Sequence, residues 1–129
     1  MKTIRCWSLA LLLGGISSAL LAYGGGGGGG DSCPEPQFFR ATPANDAVVT
    51  ALTEFSISAS ENTDLASLDL RVNGDKVQPT ITPQRSGDTR IEFRPASPIA
   101  TAGRVRITLR ARSREGCEAF LPIYVNIRP

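Results

Sequence analysis

Apolar and polar residues alternate with a period of two through most of this chain. Phe55, Ile57 and Ala59 alternate with Ser56 and Ser58; Leu68, Leu70 and Val72 with Asp69, Arg71 and Asn73; Ile91 and Phe93 with Arg90, Glu92 and Arg94. Val105, Ile107, Leu109 and Ala111 continue the pattern against Arg104, Arg106, Thr108, Arg110 and Arg112, and Leu121, Ile123, Val125 and Ile127 complete it. Side chains of a strand point alternately to its two faces, so each run reads as a strand with one buried face. Helical spacing is absent from every segment of similar length. The pattern predicts strands A at 37–42, B at 53–60, C at 67–73, a switched or edge strand at 76–82, E at 89–94, F at 103–112 and G at 118–127.

Turn residues separate these runs. Asn73-Gly74 supplies the positive backbone angles of a tight hairpin, and Ser86-Gly87-Asp88 and Arg114-Glu115-Gly116 join the next pairs. The longer connections at Glu61–Ala66 and Pro95–Gly103 suit crossings between sheets. Pro79, Pro83 and Pro122 cannot donate to a ladder, which puts the fourth strand and part of G at a sheet margin or bulge. The expected fold is all-β: an immunoglobulin-like, seven-stranded antiparallel β-sandwich with Greek-key connections, spanning 33–129.

The chain ahead of that domain has a different character. A cationic start (Lys2, Arg5) precedes an apolar run from Trp7 to Leu21, interrupted by Gly14, Gly15, Ser17 and Ser18. It falls short of the roughly 20 apolar residues of a membrane span and reads as a signal peptide, residues 1–22, with cleavage after Ala19 or Ala22. Leu20-Leu21-Ala22-Tyr23 resembles the bacterial lipoprotein signal, although leucine and alanine also abound at ordinary signal-peptide ends. Tyr23 stands where the lipid-bearing cysteine would, and a phenol cannot form the thioether. The expectation is therefore a periplasmic or secreted protein with no lipid anchor and no membrane span after signal removal. The glycine tract Gly24–Gly30 makes 23–32 a flexible tether, with an r.m.s. span of about 15 Å across the glycines.

Removing 1–22 takes away Lys2 and Arg5, leaving 12 basic residues of the original 14 against 12 acidic ones. A neutral mature chain lacks the basic footprint of a nucleic-acid binder, so no nucleic-acid partner is expected. Of three cysteines, Cys6 lies in the signal, leaving Cys33 and Cys117. An even count in an exported protein reads as a disulfide, worth about 4 to 5 kcal/mol for so long a loop in the chain-entropy model. The alternatives are two separate thiols or a metal site. Zinc usually takes four ligands, and two cysteines with no histidine supply that set poorly; no metal or cofactor is expected.

Without histidine, neither a Ser-His-Asp nor a Cys-His arrangement is available, and Cys117 has no evident base. Glu115 and Glu118 flank Cys117 on an arginine-rich turn, where carboxylates are ordinarily solvated. The glycine tract lacks the Gly-Lys-Ser/Thr ending of a phosphate loop. The expectation is a protein that is not an enzyme. The remaining constellation is on strand F, where Arg104, Arg106, Arg110 and Arg112 share one face, with Arg71 beside them if C and F are neighbours. Such a row offers bidentate donors to phosphate or carboxylate groups. The competing reading is a solvated outer face balanced by Asp69, Asp75 and Glu92.

Ala41-Thr42-Pro43-Ala44-Asn45-Asp46-Ala47-Val48-Val49, then Glu54-Phe55-Ser56-Ile57-Ser58, Leu68 to Gly74 and Ile91-Glu92-Phe93-Arg94-Pro95, followed by Gly103 to Ser113, resemble in their order the bacterial Ig-like domains of secreted and envelope proteins. The early proline and the turn Ser113-Arg114-Glu115-Gly116 are also similar to the periplasmic copper-resistance sandwiches. That second resemblance implies copper bound through histidines. This chain has none, and Cys117 occupies the place after the turn, so copper binding is not carried over. The resemblance implies a non-enzymatic binding or structural module of the bacterial envelope, its partner an unidentified protein or an envelope glycan. The alternatives are a carrier or sensor of anionic glycan or lipid headgroups through the arginine face, and an assembly subunit pairing through an edge strand.

Overall fold

The alternating runs fold as strands with the faces expected of them. The computed structural model describes residues 33–129; the signal peptide assigned to 1–22 and the glycine tether at 23–32, with Tyr23, lie outside the described residues. Nine strands occur among the described residues: β1 (Phe38–Thr42), β2 (Ala47–Val49), β3 (Phe55–Ala59), β4 (Thr63–Val72), β5 (Asp75–Val77), β6 (Thr80–Pro83), β7 (Thr89–Phe93), β8 (Gly103–Ser113) and β9 (Glu118–Ile127). One sheet has the order β1-β3-β7-β6 and the other β2-β9-β8-β4-β5. This is the immunoglobulin-like Greek-key sandwich.

Three details differ from the sequence expectation. The fourth strand, expected at 76–82, is two strands: β5 closes a hairpin onto β4, and β6 pairs with β7 in the opposite sheet. Pro79 lies at the switch between them, where no ladder donor is required. β2 was not expected, and it runs parallel to β9, so the sandwich is antiparallel with one parallel pair. Strand C starts earlier than 67, at Thr63, with an irregularity in its pairing with β8 between Asp64 and Asp69.

The prolines explain the margins. Pro83 ends the edge strand β6. Pro122 lies inside β9, opposite Thr108. Two residues on, with the same backbone orientation, the Tyr124 N–H points away from β8 and donates to Asn45 Oδ1 at 2.9 Å. The N–H that Pro122 lacks would therefore also face away from the β8 ladder.

The core lies between the sheets. Phe55, Ile57 and Ala59 from β3 and Ile91 from β7 meet Leu70, Ile107, Leu109, Ile123, Val125 and Ile127 from the other sheet, all buried. Each large aliphatic or phenyl group contributes about 1.5 to 3 kcal/mol on burial. The connection after β7, patternless in sequence, is pinned by Ile99, which exchanges backbone hydrogen bonds of 2.9 and 3.0 Å with Leu52.

Cys33 and Cys117 form a disulfide, with Cα atoms 5.7 Å apart and a sequence separation of 84. The Cα spacing lies in the usual range for such a bond. At the same end, Asn62 Nδ2 donates to the carbonyls of Pro34 and Glu35, and the Arg114 N–H donates to Asn62 O. The N-terminal segment, the β3–β4 turn and the β8–β9 turn are thus tied together.

One backbone feature has no counterpart in the sequence pattern. Phe39 opposes Ser58 and Thr42 opposes Ser56, so two residues of β1 face one of β3. Arg40 is in this bulge at φ 59°, a left-handed conformation that costs a non-glycine residue about 1 to 2 kcal/mol.

Candidate functional site

The five predicted arginines lie together on the outer face of the second sheet. In β8 the odd positions Val105, Ile107, Leu109 and Ala111 are buried, and Arg104, Arg106, Arg110 and Arg112 are exposed. β4 is the neighbour of β8, with Arg71 opposite Thr108 and Asp69 opposite Arg110. On the other side, β9 places Tyr124 opposite Arg106, Phe120 opposite Arg110 and Glu118 opposite Arg112. Lys76 of β5 faces Arg71 and extends the cationic row.

Part of this charge is already paired. Arg71 meets Asp69 at 3.1 Å, Arg104 meets Asp46 at 3.3 Å and Arg110 meets Glu118 at 3.5 Å. These are exposed pairs, each worth well under about 1 kcal/mol. Two guanidinium groups also stack on rings: Arg104 lies 4.2 Å above the Tyr124 centroid and Arg110 4.9 Å above that of Phe120. Phe120 remains 52% exposed. Among the described residues, no carboxylate lies within ion-pair distance of Arg106 or Arg112. A shallow cleft of about 190 Å³ runs between Asp69, Arg71, Thr108, Arg110 and Phe120.

Asp69 balances the face as expected, whereas Glu92 and Asp75 do not. Glu92 is on β7 in the other sheet and pairs with Arg90 at 3.3 Å. Asp75 opposes the core-facing Val72 at the start of β5. Tyr124 and Phe120 were missed as members of the face; the period of two in β9 placed them there, but their stacking depends on the β8–β9 register.

The residues present do not fit copper. The chain has no histidine, its one methionine is Met1, and Cys117 is bonded to Cys33. Among the described residues, no three of histidine, cysteine, aspartate and glutamate gather as a metal cluster. No described helix is long and apolar enough to cross a membrane.

No family model matches the chain, and no curated protein matches it. Solved structures do. CopC from Methylosinus trichosporium OB3b is 14% identical with a TM-score of 0.55, covering 73% of this chain and 94% of that one. PcoC, a methionine-rich copper resistance protein from Escherichia coli, is 20% identical with a TM-score of 0.52, covering 74% of this chain and 100% of that one. At such identities the likeness is one of fold: this chain shares its β-sandwich with these two proteins.

Proposed function

We propose that this protein is a non-enzymatic, exported binding module of the bacterial envelope that takes anionic glycan through the outer face of the β2-β9-β8-β4-β5 sheet. The observation that carries the reading is the pair Arg106 and Arg112, which among the described residues form no ion pair on a face where three other arginines do, although Asp64 and Glu118 lie across the ladder from Arg112. Their donors are available to an arriving carboxylate or phosphate. Tyr124 and Phe120 hold the neighbouring guanidinium planes in place, which lowers the ordering cost of binding. Edge-strand assembly is less well supported. β6 ends in Pro83 and follows Pro79, and β5 is three residues long, features that blunt an edge against pairing.

The test is binding to immobilised polygalacturonate and to neutral dextran at two salt concentrations, for the native protein and for Arg104, Arg106, Arg110 and Arg112 all replaced by serine. Expected are selective binding to the acidic polymer, weakening with salt, and a loss of at least about tenfold in the variant, with its circular dichroism unchanged. Equal binding by the variant, or a salt-insensitive stoichiometric complex, would overturn the reading.

A further inference from the structure

The opposite sheet carries a second polar recess, remote in sequence from strand F. On the outer face of β1-β3-β7-β6, the central strand β3 presents only Ser56 and Ser58. Its neighbours present larger groups: β7 places Arg90 opposite Ser58, and the β1 bulge brings in Arg40 beside Thr42. Small residues between two longer rows leave a trough. It measures about 280 Å³, is lined by Arg40, Ser56, Ser58 and Arg90, and extends to Gln84 and Asp88 of the β6–β7 turn.

Arg40 is the unusual member. The bulge needs a residue at positive φ, for which glycine is the low-energy choice, yet an arginine occupies it. Its guanidinium lies 5.2 Å from the Phe39 ring centroid. No carboxylate among the described residues is within ion-pair distance of it. A left-handed backbone that sets, at the lining of a recess, a cation with no ion pair among the described residues is an arrangement characteristic of binding sites.

The charge around the trough selects among anions. Arg90 is engaged by Glu92 at 3.3 Å, and the Asp88 carboxylate accepts from Ser86 Oγ at 3.1 Å. Arg90 is thus already paired, and Arg40 is the guanidinium of the trough that has no ion pair among the described residues, which matches a ligand carrying a single carboxylate. The hydroxyls, the Gln84 amide and Asp88 offer both donors and acceptors to a polyol. We infer that this trough binds a single carboxylated sugar unit, its carboxylate on Arg40 and its hydroxyls on Ser56, Ser58 and Gln84. The size is at the small end for ligand pockets, which fits one ring rather than a chain. This site stands independently of the arginine face on the other sheet.

The test is an amide NMR titration of the disulfide-bonded protein with D-glucuronate, D-glucose, inorganic phosphate and a galacturonate oligomer. Glucuronate is expected to shift the amides of Arg40, Ser56, Ser58 and Arg90, with glucose and phosphate at least about tenfold weaker. A response to the oligomer at the same amides identifies a chain end as a source of the ligand, and its absence identifies the free sugar. Arg40→Gly removes the guanidinium while relieving the backbone, so binding is lost while Tm holds or rises. Arg90→Gln is expected to weaken binding several-fold with the fold intact, and the four-serine variant of β8 to bind glucuronate as the native protein does. Glucose or phosphate binding as tightly as glucuronate, no shift with any sugar acid, or undiminished binding by Arg40→Gly and Arg90→Gln would overturn the proposal.

Discussion

Ser113 shows how much a single side chain organises at the disulfide end. It is 2% exposed. Its Oγ accepts the Cys117 N–H at 3.1 Å, its N–H donates to Cys117 O at 2.8 Å, and its carbonyl accepts from Gly116 N–H at 2.8 Å. Gly116, at φ 96°, completes a type I turn with a glycine bulge. Ser113→Ala leaves the Cys117 N–H without its side-chain acceptor, and a loss of about 1 to 2 kcal/mol is expected in urea unfolding, with faster hydrogen exchange at that amide. The serine–glycine spacing of this turn was legible in the sequence because its bonds are local. Arg40 was not, because its conformation depends on a register with Ser56 and Ser58 that no local pattern encodes.

At the scale of elements, long strands were legible and short ones were not. β8 and β9 pair from Gly103 with Ile127 to Arg112 with Glu118, and their alternation gave both position and facing. β2 has three residues with Val48 exposed, too few for a period, and it is held by the side chains of its surroundings: Asn45 accepts from Tyr124, and Asn126 donates to Asp46 O. The β4–β5 hairpin was the clearest local signal. Asn73 and Gly74 lie at φ 51° and 91°, the two positive angles of a type I′ turn. A Cβ on Gly74 would meet nothing within 4 Å, so Gly74→Ala isolates the backbone cost. A destabilisation of about 1 kcal/mol is expected, with an unchanged denaturant slope showing that the same surface is exposed on unfolding.

For the molecule as a whole, fold class followed from the count and facing of the strands, while the ligand did not, because outer-face chemistry leaves no period. The disulfide links the two levels. Parity of cysteines proposed it, and the shared end of the sandwich, where Asn62 also ties residues 34, 35 and 114 together, makes it sterically available. Replacing Cys33 and Cys117 by serine is expected to cost about 2 to 5 kcal/mol in equilibrium unfolding, with far-ultraviolet circular dichroism of the native state retained. Its further meaning is mechanical. Cys117 immediately precedes β9, and β9 leads to the end of the described chain at Pro129. A pull between residues 33 and 129 therefore runs through the sulfur bridge and along a strand that is already extended, leaving residues 34–116 outside the load path. So long as the bridge is closed, the domain behaves under tension as a nearly inextensible link whose two sheets stay unstretched.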